Sequence, residues 1–340
     1  MTGALQDLQF SGTLAIDIHL ALDTRHLPAT QLEVDVNDQC NIAHDGLMQG
    51  IGRLSGPFVQ RVQEPQGVRA FITGPGTPAW VPLSEISPYV INAVLFREDG
   101  TFYQHHGVDV HQVRAAIVRN VAAGRFVYGA STLSMQLAKN IFLAREKTLV
   151  RKLQELVFTW YLERSMDKDS ILELYLNVVE FGPGIYGIGP ASRFFFGCEP
   201  RELTPLQAIY LATVLPNPVA RFANYQRGSV SADTLARLRM YARIMGQQGW
   251  LSPSEVALAQ SETLVFRPPG TPIHGPLTQT VDPSTTDAMV QAMTTLTHRT
   301  IEIAEPTATP LVSSDEETQP APTTPRPTVH TAPVRVHETP

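Results

Sequence analysis

Between residues 8 and 36 apolar and polar positions alternate, in "GTLAIDIHLALD" and again in "QLEVDVND". A period of two places successive side chains on opposite faces of a strand, so two half-buried strands are predicted, joined by the proline-containing turn "TRHLPATQ". A weaker strand pattern, "VRAFITG", precedes "GPGTPAWVP" at 74–82, whose glycines and prolines break regular structure and suit a linker. From Leu83 to about Ser261 the period changes to three and four, the mark of amphipathic helices. In "TLVRKLQELVFTWYLER" the apolar residues Leu149, Leu153, Leu156, Val157 and Trp160 form one stripe, which assigns Arg151, Lys152 and Glu155 to the opposite face. Past Arg267 the chain turns rich in Pro, Thr and Glu, and "ETQPAPTTPRPTVHTAPVRVHETP" has too little apolar surface to offset the entropy of ordering it. The fold class expected is mainly α. A β-rich N-terminal segment and linker (1–77) precede an α-helical domain (78–262), and a low-complexity, mostly disordered Pro/Thr-rich tail (263–340) follows, interrupted by a short helix around "DAMVQAMTTL".

Composition adds bounds. A chain of 340 residues, 43% hydrophobic, can bury a substantial core. The net charge of -6 supplies no global field for nucleic acid, so nucleic acid is not expected as a partner, and an anionic ligand needs a local basic patch. Cys40 and Cys198 are too few and too far apart for a disulfide framework, and their spacing matches no metal motif. No run of about eighteen apolar residues and no basic-then-apolar leader is visible, so neither a membrane span nor a secretory signal is expected from these residues.

Several short segments concentrate chemistry. Glu98 and Asp99 follow the apolar run "PYVINAVLF" and precede Phe102 and His105. A carboxylate against apolar walls suits a general base working near neutrality, although an acidic pair taken alone is more often a capped or solvated helix end. In "GASTLSMQLAKNIFL", Ser131 or Thr132 can cap a helix, and Gln136, Lys139 and Asn140 recur at i, i+3 and i+4. The start of such a helix suits an anion; an ordinary capped helix has the same pattern. Six basic residues lie between Arg125 and Lys152 (Arg125, Lys139, Arg145, Lys147, Arg151, Lys152) against the single acid Glu146. That local reversal of charge suits a phosphate or pyrophosphate, with a solvated helix face as the alternative. Further on, Asp167 can cap a helix whose apolar face is Ile171, Leu172, Tyr175 and Val178, and Pro216 and Pro218 end another helix abruptly.

Taken in order, these segments resemble the peptidoglycan glycosyltransferase domain, glycosyltransferase family 51, of monofunctional transglycosylases and class A penicillin-binding proteins. The pattern E-D-x-x-F-x-x-H-x-G is met by Glu98, Asp99, Phe102, His105 and Gly107; G-x-S-T-x-x-x-Q-x-x-K-N by Gly129, Ser131, Thr132, Gln136, Lys139 and Asn140. R-K-x-x-E is met by Arg151, Lys152 and Glu155, and K-x-x-I-L-E-x-Y-L-N by Lys168, Ile171, Leu172, Glu173, Tyr175, Leu176 and Asn177. Two positions depart from the common pattern: Met135 stands where many members have a first glutamine, and Lys147 where many have arginine.

The resemblance implies a lysozyme-like helical core that polymerises lipid II into β-1,4 glycan strands, with inversion and release of undecaprenyl pyrophosphate. It implies Glu98 as general base and Glu155 as a second catalytic acid. Asp99, Phe102, Ser131, Thr132, Gln136, Lys139, Asn140, Lys147, Arg151 and Lys152 are then expected at the substrate, with Asp99, Phe102 and His105 also holding the loop that carries the base. The resemblance leaves a divalent metal, Mg or Mn, open at the pyrophosphate and names no other cofactor. The implied partners are lipid II, the growing strand, a membrane surface and other cell-wall synthesis proteins. The implied place is the periplasmic face of the bacterial cytoplasmic membrane. No transpeptidase motif follows the core, so a monofunctional enzyme is expected. Two alternatives stand beside it: a glycan-cleaving lysozyme-like enzyme, and a non-catalytic lipid II-binding scaffold module.

Overall fold

The computed structural model describes residues 8–45, 52–64, 67–143, 149–272 and 279–282. Six strands come first: β1 (Leu8–Ser11), β2 (Leu14–Ala21), β3 (Gln31–Asp38), β4 (Asn41–Asp45), β5 (Phe58–Glu64) and β6 (Gly67–Thr73). β2 and β3 form the antiparallel hairpin that the alternation predicts, in register from Leu14↔Asp38 to Ala21↔Gln31. The apolar face of this hairpin is not half-buried as expected, however. Ile16, Ile18, Leu20 and Val36 are exposed, Ile18 by 67%. Polar contacts to the helices hold the hairpin: Trp160 Nε1 (2.8 Å) and Arg164 Nη1 (3.0 Å) donate to Asp38, and Arg114 donates to the carbonyls of Pro28 (2.7 Å) and Thr30.

The helical part comprises α1 (Pro88–Glu98), α2 (Val110–Ala123), α3 (Leu133–Phe142), α4 (Leu149–Ser165) and α5 (Lys168–Val178). A short antiparallel pair, β7 (Glu180–Gly182) and β8 (Ile185–Tyr186), leads to α6 (Ile188–Phe196), α7 (Pro205–Val214), α8 (Pro218–Gln226), α9 (Ala232–Gln247) and α10 (Pro253–Ser261). Local chemistry starts most of them. Asp109, Thr132, Asp167, Asn217 and Ser231 each accept a backbone N–H at an N-terminus, while Thr204 with Gln207 and Ser252 with Glu255 form capping boxes. Helices α5 and α7 are buried almost all round, as a helix at the centre of a core must be, and α7 packs against α1. A mainly α architecture is therefore what the sequence periodicity builds.

Packing crosses both expected limits of the helical domain. Leu54 and Phe58 belong to the same apolar core as the helices, Phe71 stacks on Tyr186 at 4.9 Å, and Gln60 Nε2 donates to the Val178 carbonyl at 3.2 Å. Strands β5 and β6 thus cover the core rather than preceding it. At the other end Leu264 and Phe266 are buried, and Arg267 donates through its backbone N–H to Phe195 (2.8 Å) and through Nε to Phe194 (2.9 Å). The strand β9 (Gln279–Val281) then pairs with β6. Composition marked the start of the tail but not these few apolar anchors. Residues 283–340, with the helix expected around "DAMVQAMTTL", lie outside the described residues.

The face assigned to α4 is corrected. Its buried side carries Gln154, Glu155, Phe158, Thr159, Tyr161 and Leu162, whereas Leu153 and Leu156 are exposed. Of the apolar stripe chosen from spacing, Leu153 and Leu156 face outward and Val157 and Trp160 are half-buried, because the inward face mixes large apolar residues with polar ones that find partners inside.

Candidate active site

Glu98 is the last residue of α1, and the loop behind it is fastened to the start of α3. Asp99 is buried and accepts the backbone N–H of Leu133 at 2.9 Å and His105 Nε2 at 2.9 Å. His105 Nδ1 accepts the Gly107 N–H at 3.1 Å, so the neutral ring carries its proton on Nε2, towards Asp99. The Gly107 carbonyl in turn accepts from Thr132 Oγ1, the N-cap of α3. Gly107 has φ +95, and a Cβ there would stand 2.7 Å from Thr159 Cγ2, so only glycine lets the loop lie this close to α4. Phe102 is 1% exposed, and the Lys168 ammonium sits 4.4 Å from its ring centroid. Asp99 and Phe102, expected at the substrate, are therefore placed beneath the loop: the first is consumed in capping α3, and the second is core.

One turn into α3, Gln136 Nε2 donates to Glu98 Oε2 at 3.1 Å, and Tyr175 of α5 donates its hydroxyl to Gln136 Oε1 at 3.0 Å. Burial pushes the Glu98 carboxyl above the ordinary glutamate range; the Gln136 hydrogen bond and the charges of Arg97 and Lys139 pull it back, while Asp99 pushes it up. Lys139 is exposed and Asn140 half-buried, on the same helix as Gln136.

The second acid sits differently. Glu155 is 3% exposed, with Lys152 Nζ at 2.6 Å from Oε1 and Arg151 Nη1 at 3.6 Å from Oε2. Lys152 also donates to the exposed Ser131 hydroxyl at 3.3 Å. The structure thus joins the second and third segments through a cation. Lys147 lies outside the described residues. Both Glu155 oxygens face cations, and among the described residues no group of three His, Cys, Asp or Glu side chains is arranged to hold a metal ion.

Sequence reasoning passed over Glu163, which accepts from Lys168 at 2.8 Å and from Ser134 and so ties α4 to α3 and α5. Its signal was its spacing, since Glu155, Thr159 and Glu163 recur every fourth residue along the buried face. Glu173 and Asn177, matched only as motif letters, clamp the segment before α1. Glu173 accepts from Trp80 Nε1 (2.9 Å) and Leu83 N (2.8 Å), and Asn177 bonds both backbone groups of Val81.

Residues 68–243, just over half of the chain, match the family model described as Transglycosylase. The chain belongs to the transglycosylase family. As a member it is an enzyme, a peptidoglycan glycosyltransferase of cell-wall synthesis. This transglycosylase is similar to the biosynthetic peptidoglycan transglycosylase of Paraburkholderia xenovorans (strain LB400), 42% identical over 167 residues, which cover 49% of this chain and 68% of the relative. A second relative, the biosynthetic peptidoglycan transglycosylase of Burkholderia multivorans (strain ATCC 17616 / 249), is 43% identical over 167 residues, covering 49% of this chain and 66% of the relative. The chain matches about two thirds of the length of these relatives. The family match begins inside β6, consistent with the packing of that strand on the helical core.

Proposed function

We propose that the transglycosylase polymerises lipid II with Glu98 as general base. The observation that carries this reading is the half-buried Glu98 carboxylate at the end of α1, raised by desolvation and held by Gln136 on the helix that also bears Lys139. Burial with one hydrogen bond suits a group that must exchange a proton near neutral pH. In the step, the acceptor's 4-hydroxyl gives its proton to Glu98 while its oxygen forms a bond to the anomeric carbon of the growing strand. The bond from that carbon to the pyrophosphate oxygen breaks, with inversion, and the leaving group carries away the electron pair. Lys139, Arg151 and Lys152 are the cations suited to the charge that develops there. Glu155, clasped by two of them, is assigned to holding those cations in place rather than to moving a proton. No step is routed through a metal.

The test is conversion of labelled lipid II by the full chain and by Glu98→Gln. Polymer from the wild type and none from a folded Glu98→Gln protein is the expected result; equal polymer from both would overturn the base assignment. Shortened sacculi in place of lengthened strands would support a hydrolase, and binding of lipid II without turnover by the wild type would support a scaffold.

A lipid-borne substrate sets the reaction at a membrane, and building peptidoglycan sets it outside the cytoplasm; we propose the periplasmic face of the cytoplasmic membrane. The β2–β3 hairpin supplies a surface suited to that place. Its register puts Ile16 beside Val36, Ile18 beside Val34 and Leu20 beside Leu32 on one face, with Asp17, Asp35, His19 and Glu33 on the other. Six aliphatic side chains without an aromatic anchor fall well short of the roughly 20–30 residues a side of a stable protein interface. Hydrocarbon, which asks for apolar area and no specific partner, is the occupant that fits.

A further inference from the structure

Gln136 matches a motif position expected to line the donor site, yet both ends of its amide are engaged within the protein: Nε2 with Glu98 and Oε1 with Tyr175. The orientation follows from chemistry. An ionised carboxylate can only accept, so it requires the amide nitrogen; the amide oxygen then faces Tyr175, whose buried hydroxyl donates. A flipped amide would aim an oxygen at the carboxylate and leave two donors facing the phenol.

We propose that Gln136 and Tyr175 form a positioning pair that aims the base and favours its ionised form. Gln136 engages Oε2 of Glu98, which assigns Oε1 to the acceptor's proton. Tyr175 acts one step further back by fixing which way the amide points. The inference rests on Glu98 being the base. The charged or titratable groups facing Glu98 are Arg97 and Asp99 beside it in the chain, Lys139 on α3 and Tyr175 on α5; Arg97 is itself stacked 4.4 Å from the ring centroid of Tyr241 on α9. Gln136 on α3 donates a hydrogen bond to the base, so its loss disfavours the ionised form while leaving those charges in place.

The experiment measures kcat, KM and the pH profile of lipid II polymerisation by the full chain carrying Gln136→Met, Tyr175→Phe or both, beside Glu98→Gln. Gln136→Met keeps the length of the side chain and removes the donor. It is expected to lower kcat on the order of tenfold and to move the acid limb up by about one pH unit, with KM unchanged. Tyr175→Phe keeps the ring and should move both in the same direction by less, roughly threefold in kcat. Because the two act in series, the double variant should be no worse than Gln136→Met alone. Unmoved acid limbs, a change confined to KM, or losses that multiply would overturn the pair. Should Tyr175→Phe not fold, the acid limb of Gln136→Met decides. An inactive Glu98→Gln beside unmoved acid limbs overturns the pair alone, whereas an active Glu98→Gln overturns the base and the pair together.

Discussion

At the scale of single residues, Glu98 combines a functional role with a stability cost. Its carboxyl is held above the ordinary range by burial, so the folded protein binds that proton more tightly than the unfolded chain. Any stability tied to it is fully present below the unfolded value, about 4.3, and is lost as pH rises through the higher folded value. Glu98→Gln should therefore melt higher than the wild type at pH 7, with the difference closing near pH 4, in paired thermal scans. The same variant should lose at least about a hundredfold in polymerisation rate, the scale of a general base. Lys139 is a cation on the α3 face that also bears Gln136, and its charge is felt at Glu98. Lys139→Ala is expected to weaken an inhibitor that mimics the pyrophosphate by about tenfold, and wild-type affinity in a binding titration would remove it from the phosphate clamp. Its loss should also raise the apparent pKa of the base, because one of the positive charges favouring ionisation is gone.

At the scale of elements, the site depends on how closely the loop from Asp99 to Gly107 lies against α3 and α4. Asp99 and Thr132 bind it to the first turn of α3, and Gly107 provides the close approach to Thr159 and Glu163. Gly107→Ala should cost roughly 1–3 kcal/mol from the backbone alone, and more from the clash with α4. The useful comparison is Gly124→Ala, also at positive φ (+59) but with nothing within 4 Å of the added carbon. Denaturant titrations should show the larger loss at Gly107, accompanied by lower turnover because the base moves with its loop. Equal losses at the two glycines would mean that backbone conformation, and not packing on α4, sets the requirement. The burial of Glu155 belongs to this scale too: a carboxylate on the inner face of α4 is tolerated because Lys152 and Arg151 approach it from the same helix.

At the scale of the whole molecule, the helical core, the strands β5 and β6 and the residues through Arg267 pack as one unit, and the β2–β3 hairpin attaches to it by its polar contacts. Replacing Ile16 and Ile18 together by Asp should abolish flotation with vesicles containing anionic lipid while leaving the melting temperature within about 2 °C, since exposed positions contribute little to the core. Retained flotation would assign membrane contact to another face. Among the described residues no helix is long and apolar enough to cross a membrane. Much of this organisation was legible beforehand, because capping residues, helical and strand periods and the spacing within each motif depend on neighbours within a few positions of each other. Asp167, Thr132 and the β2–β3 register are cases of such local rules. What the sequence by itself determined is thus the identity of the elements and the residue types brought to the site. Only the tertiary structure decided that α4 turns Glu155 inward and Leu153 outward, that Gln136 points at Glu98, and that the hairpin's apolar face stays uncovered. Those outcomes depend on which partners residues far apart in the chain find for buried polar groups, and no spacing along one helix or strand carries that information.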